Sequence, residues 1–395
     1  MKKLGVLDVK YSLTQIFYFA AYCGLMGYAS VYLLDKGVSN TLIGTTLALV
    51  SIIAVFTQPT IASFADKKEV KLQNLIIAIL IIAIVLSVGI YFLKLPTMAL
   101  LCVFVGIVTC MMTIQPLLNS LAFAFEKYGI EVNFGLARGL GSVAYALASF
   151  ALGYMVEAFD ADVIPLVYII FNIILTIVVY SYVIPKSQRD HLEIKEETHK
   201  DTEEKVTFSH FCKTYKKFMI FVVSVVLVFF THTIINNFFI QIITPIGGTE
   251  SDMGIAVFLA AILELPAMAM FNVLRKKVKC STLLKISVVF FALKHILTLL
   301  APNMTLIYVA QVLQMGAFAI FTPASVYYVT EIISKKDLVK GQSMITVGIT
   351  ASGIIANLAG GVLLDTVGVH TVLLIGGVVS VLGGILAFMT IQETQ

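Results

Sequence analysis

A glutamate and three basic residues stand inside apolar runs of this sequence, and their types define the chemistry it can do. Glu264 sits in Ala260-Ala261-Ile262-Leu263-Glu264-Leu265-Pro266-Ala267, within an apolar stretch from about 252 to 274. At ~1.5 Å per helical residue the carboxylate lies roughly 15 Å from either end of that stretch. An ionised group at that depth of a bilayer costs at least ~2.5–3.5 kcal/mol unless a partner or water meets it. Its neighbours three and four positions away are Ala260, Ala261, Ala267 and Met268, a mostly small face suited to a packed or water-lined interior. Pro266 removes one backbone hydrogen bond beside it. No other acidic residue of the chain is placed so deep. Glu264 therefore reads as the functional centre, against the alternative of a structural buried ion pair.

Lys294 lies in Ala292-Leu293-Lys294-His295, at a depth within roughly one helical turn of Glu264. The two can meet, either as working groups or as a pair that merely neutralises both. Arg138 follows Asn133-Phe134-Gly135-Leu136-Ala137 and points away from the small stripe Gly135, Gly139 and Ser142. Its fork suits substrate hydroxyls or a carboxylate; the alternative is an arginine at the membrane interface. Lys285 is near a helix end and snorkels. Gln15, Asn119, Tyr145, His232, Asn236, Gln311, Gln314 and Asn357 add polar groups that either line a path or bond helix to helix. His232 and His295 can titrate near neutral pH.

The elements that must hold these residues are membrane helices. The 395 residues are 59% hydrophobic and 13% charged, where a soluble protein carries about 25% charged residues. Mean hydropathy is +0.97. The first apolar run follows Met1-Lys2-Lys3 and, at about 25 residues, is too long for a signal-peptide core. Twelve runs of about twenty residues follow one another: 10–34, 41–65, 73–93, 97–125, 132–158, 163–185, 217–243, 252–274, 281–300, 303–329, 342–364 and 368–391. The one long polar interruption, 186–216, reads as a solvated linker between six-helix halves 1–185 and 217–395. With the N-terminus in the cytoplasm, twenty-two of the 27 Lys and Arg residues fall in cytoplasmic segments and only Lys36 and Lys94 on the other side. Both termini and the linker are then cytoplasmic.

A constant offset of 207 positions maps Pro59 onto Pro266, Pro116 onto Pro323, Gly141 onto Gly348 and Gly153 onto Gly360. Two parallel six-helix repeats leave such a trace. The five cysteines have no metal or disulfide spacing. P-loop, HExxH and GxSxG motifs are absent, which argues against ATP-driven transport and membrane hydrolase chemistry. No enzyme activity, cofactor or nucleic-acid partner is expected.

Across its length the sequence resembles the major facilitator superfamily. Gln58-Pro59-Thr60-Ile61-Ala62-Ser63-Phe64-Ala65-Asp66-Lys67 is similar to that superfamily's signature in the turn between the second and third helices. It departs at Ala62, where glycine is usual, and lacks the usual Gly-Arg-Arg ending. The resemblance implies a cytoplasmic gate role for Asp66. Asn133-Phe134-Gly135-Leu136-Ala137-Arg138 with Gly141-Ser142-Val143-Ala144-Tyr145 resembles the fifth helix of lactose-permease-like oligosaccharide and nucleoside proton symporters. There the arginine binds substrate hydroxyls and the aromatic residue stacks on the sugar, which implies those roles for Arg138 and Tyr145. Leu263-Glu264-Leu265 is similar to their eighth-helix glutamate, and Lys294 stands where they carry an arginine. Gln314 and Ala317 stand where that group has its coupling histidine and proton-carrying glutamate, and Ala122, with Asn119 nearby, replaces the fourth-helix glutamate. These departures argue against lactose and move any proton coupling onto another group, Glu264.

The expectation is an all-α membrane protein of the major facilitator fold, monomeric, in a bacterial plasma membrane. It would import a small polar solute, a sugar or nucleoside, with protons. Arg138, Glu264, Lys294, Asn119, Tyr145 and Gln314 would bind substrate, and Glu264 would carry the proton. The alternative is a proton-antiporting exporter of amphipathic compounds.

Overall fold

In hydrocarbon every backbone N–H and C=O must be paired within the chain, and an apolar run of about twenty residues meets that demand as a helix. The computed structural model describes residues 5–67, 71–126, 132–182 and 208–393, and the regular elements in them are helices. We number the spans α1 (Val6–Tyr22, continued by Ala29–Asp35), α2 (Asn40–Lys67), α3 (Leu72–Phe92), α4 (Thr97–Glu126), α5 (Phe134–Phe159) and α6 (Val163–Tyr180). There follow α7 (Lys216–Asn237), α8 (Glu250–Leu274), α9 (Cys280–Leu300) and α10 (Met304–Val312 with Phe318–Ile332). The last 53-residue element, Leu338–Thr390, turns back at Gly368 with φ +77°, a left-handed value that suits glycine. It therefore holds two spans, α11 (338–367) and α12 (369–390). The twelve expected spans are all present.

Three of them are not the straight helices expected. α1 passes through a π turn at Cys23–Gly27 and bends by 44°. α7 breaks at Phe238, whose φ −115° and ψ 32° leave the helical region, and resumes for one turn as Phe239–Ile243. α10 tightens into a 3-10 turn at Leu313–Met315 and leaves helical geometry at Ala317, where ψ is −90°. Gly316 permits that last break: a Cβ there would stand 2.2 Å from the Phe290 ring. The expected linker is also shorter at its end. Phe208–Thr214 is a helix, because Phe211 is fully buried against Tyr215 and Phe218. Residues 183–207 lie outside the described residues.

α1 packs on α5 and α6, α3 on α4 and α6, and α2 on α4. The later helices group likewise: α7 and α9 on α11 and α12, and α8 and α9 on α10. Two main pairs join the groups, α5 with α8 and α2 with α11, beside a lesser contact of Ala29–Asp35 with Phe239–Ile243. Both main pairs meet within about two turns of the end opposite the basic loops. Glycines bring the backbones together there: a Cβ on Gly44 would lie 2.1 Å from the Asn357 carbonyl oxygen, and one on Gly153 2.5 Å from that of Glu250. Gly361 and Gly254 face them, with 2.4 Å to the Asn40 oxygen and 2.7 Å to the Ser149 oxygen. Toward the basic end, none of residues 257–270 of α8 is fully buried. The two groups are closed at one end and parted at the other.

Asp365 fastens the closed end. Near the end of α11, its carboxylate accepts the backbone N–H groups of Asn40 (3.2 Å) and Thr41 (2.7 Å), the Asn40 amide (2.8 Å) and the Thr41 hydroxyl (2.7 Å). It thus caps the N-terminus of α2, a helix of the other group. Asp365→Ala is expected to weaken this closure by ~1 kcal/mol, the usual size of a lost cap, and so to raise the population open at this end about fivefold. Labelling of a cysteine placed in the cavity by a reagent confined to that side measures the change. An unchanged labelling rate would remove the latch role.

Candidate functional site in the central cavity

Between the two groups lies a cavity of about 420 Å³. α1 and α5 supply Phe19, Tyr22, Met26, Arg138, Ser142 and Tyr145 to it; the other wall carries His232, Asn236, Glu264, Lys294, Gln311, Gln314 and Phe318. Small residues make room for these larger ones. Ala260 and Ala261 precede Glu264 on the same face of α8 and line the same space. A Cβ on Gly27, in the π turn of α1, would stand 3.0 Å from the Tyr145 hydroxyl.

Glu264 and Lys294 do not touch directly. The Lys294 ammonium donates to Gln314 Oε1 (2.7 Å), and Gln314 Nε2 donates to Glu264 Oε1 (2.9 Å). The α10 break sets Gln314 between them, so the expected pair is a three-residue bridge. The amide orientation is forced, since an ammonium only donates and a carboxylate only accepts. Lys294 is 1% exposed, which makes that single acceptor energetically important. Gln314→Leu is expected to leave the ammonium uncompensated at a cost of about 3–5 kcal/mol, seen as a lower thermal transition. Adding Lys294→Met should restore most of it. If the single variant melts with the wild type, the bridge does not hold the fold.

Arg138 faces this bridge from the other wall. Its Nη1 donates to Ser142 Oγ (2.9 Å), and the guanidinium carbon stands 4.1 Å from the centre of the Phe19 ring. Cation–π contact and one hydroxyl hold the fork in place and leave further N–H donors for a ligand. Tyr145 continues an aromatic row through Tyr22 (6.4 Å between rings) to Tyr18 (6.1 Å).

Five of the six expected substrate residues line the cavity: Arg138, Tyr145, Glu264, Lys294 and Gln314. Asn119 does not. α4 packs chiefly on α3 and α2, so α1 and α5 build the wall it was expected to share. Asp66 has a side chain outside the described residues. Gln15 is buried and donates to the Tyr11 hydroxyl (2.8 Å), a helix-internal contact. Asn357 accepts from Asn237 (2.7 Å) near the closed end. Phe19 and Tyr22 were missed; their three-residue spacing on one helical face was the available signal.

A family model described as the MFS_1 like family matches residues 9–375. The uncharacterized transporter YwbF of Bacillus subtilis (strain 168) is 24% identical over 383 residues, covering 94% of this chain and 91% of that protein. Among solved structures, the nucleoside transporter NupG superposes with a TM-score of 0.77 at 14% identity, covering 99% of this chain and 100% of that one. A D-xylose-proton symporter gives a TM-score of 0.68 at 10% identity, with 98% of each chain covered. At those identities the two structures speak for the fold. The chain belongs to the MFS_1 like family and is a membrane transporter with the major facilitator fold.

Proposed function

We propose that this transporter couples movement of a small polar solute, a sugar or nucleoside, to entry of a proton. The observation that carries the reading is the Glu264–Gln314–Lys294 bridge on one wall, faced across the cavity by Arg138 on the other. A solute with hydroxyls can span the two, accepting from the guanidinium and donating to, or accepting from, the carboxyl group. Protonated Glu264 offers an O–H to the solute; ionised Glu264 keeps only acceptors, toward Gln314 and the guanidinium. The proton and the solute thus change each other's affinity, which is linkage between two sites. The basic loops face the cytoplasm in this reading, so the closed end faces outward and the cavity opens inward. The solute is released there and Glu264 then loses its proton.

The test is internal pH of proteoliposomes, read from a trapped dye, during addition of sugars, nucleosides and lipophilic cations. Proton influx that depends on a sugar or nucleoside is the expected result. Proton efflux provoked by lipophilic cations would replace the reading with the exporter, which the apolar lining of Phe19, Met26, Phe239, Val257 and Phe318 would suit.

A further inference from the structure

The later helix group carries a second hollow, which shares no residue with the central cavity. It lies between α9 and α12 and has a volume of about 300 Å³. Val288, Val289 and Ala292 line one side, and Val381, Ile385 and Phe388 the other. Each set recurs at steps of three and four, so the hollow is a groove that follows both helices for about 10 Å. Gly384 lies at its floor: a Cβ there would stand 3.3 Å from a methyl carbon of Val288, which marks where the two helices meet. Val289, Ile385 and Phe388 are exposed along the rims.

Two features say what covers it. Its walls belong to membrane spans and carry apolar side chains alone, so the medium that meets them is hydrocarbon. A hollow left empty there forfeits dispersion contacts that a flexible chain supplies. The second feature is Lys285, which precedes Val288 and Val289 by three and four positions on the same stripe of α9. It stands one turn nearer the basic end, is half-buried, and has no ion-pair or hydrogen-bond partner among the described residues. A lysine so placed runs its stem along apolar surface and lifts its ammonium to the headgroup level. Arg275, Lys276, Lys277 and Lys279, exposed in the turn before α9, outnumber the acids Glu331 and Glu393 at that end of the neighbouring helices. The mouth of the groove is therefore positive and its length apolar.

We propose that this groove is a binding site for an anionic phospholipid, with one acyl chain lying between α9 and α12 and the headgroup phosphate on Lys285. Basic pockets between membrane helices hold such headgroups, and one lysine near the surface favours an anionic over a zwitterionic lipid about fivefold. A chain seated there braces α9, the helix that carries Lys294, against α12, to which His295 is already tied by its hydrogen bond with Ser380 (2.7 Å). The site is independent of the solute that the central cavity carries.

The chain has no tryptophan, so a single one reports on its own surroundings. Phe388→Trp places it in the groove, and Ile82→Trp, on the exposed face of α3, serves as the control. Each is reconstituted in vesicles that mix phosphatidylcholine with phosphatidylglycerol, one of the two carrying brominated chains that quench indole fluorescence. At the groove, phosphatidylglycerol is expected to compete about fivefold better than phosphatidylcholine, against a ratio near one at Ile82→Trp. Adding Lys285→Gln should bring the groove ratio to about one, and Lys285→Arg should keep it. Ala292→Phe fills the groove but leaves the lysine, and it should also bring the ratio to about one. Equal quenching by the two lipids at the groove, or the same preference at Ile82→Trp, would overturn the site. A preference that survives Lys285→Gln would remove the headgroup contact. One that survives Ala292→Phe would reduce Lys285 to a surface charge with no seat for the chain, and the site would fall with it.

Discussion

Glu264→Gln is expected to reduce solute accumulation to its equilibrium level. For one proton per solute, an inward gradient of two pH units supports roughly hundredfold accumulation, since each tenfold is 1.4 kcal/mol. The glutamine keeps the volume of the side chain and an oxygen for the Gln314 amide, which now stands 2.9 Å from the carboxylate. It cannot exchange a proton. Exchange of labelled for unlabelled solute across the membrane needs no net proton movement and should persist, which shows that the variant folds and binds. Accumulation and exchange measured on the same vesicles separate the two. Undiminished uphill accumulation would dismiss Glu264 as the coupling group.

The second large effect is expected at the glycine contacts. Gly44→Val or Gly153→Val places a side chain where the first carbon alone would be 2.1 Å or 2.5 Å from a backbone oxygen of the facing group. Backbone cannot yield as a side-chain tip does. Overpacking of about 1–3 kcal/mol per site acts only on the state closed at this end, so the balance moves roughly five- to 150-fold toward opening there. The double variant should combine the shifts, because the two contacts are on different helix pairs. Steady-state uptake falls correspondingly. A cysteine at Val257, in a background without Cys23, Cys102, Cys110, Cys212 and Cys280, should become reactive from the side that is now closed. Unchanged reactivity together with unchanged uptake would mean that these contacts do not govern closure.

The charged members of the site were legible because a charge in an apolar run has few explanations. Glu264 and Lys294 announced themselves by depth, Arg138 by a charge among small residues near the start of its run, and the structure brings the three to one cavity. The bridge was not legible. It depends on the α10 break, and that break depends on the Phe290 ring against Gly316, a contact between two helices that no single run contains. Asn119 was misplaced for a related reason: helical periodicity shows that a polar residue has a face, but which neighbour covers the face is decided by packing. Asp365 did carry a sign. An acid near the end of its own helix opposes that helix's dipole, so another helix's N-terminus is its natural partner. Phe19 and Tyr22 carried only a shared helical face, which aromatic residues show throughout such helices. The recurring Pro and Gly positions fared better: Pro59, Pro116, Pro266 and Pro323 all lie within helices, at equivalent places in the two groups.

The interrupted backbone at Leu313–Ala317 has one more consequence. Irregular main chain at mid-membrane depth is tolerated only where protein or water meets its polar groups, and here it borders the cavity. Protein meets it here, since the N–H groups of Gly316 and Ala317 both donate to the Leu313 carbonyl, while the chamber beside it carries Arg138, Asn236, Glu264 and Gln311, polar groups enough to admit water. At about 30 Å³ per water molecule, 420 Å³ holds on the order of ten of them. Closing the chamber around a solute therefore means displacing or trapping a water volume of that order.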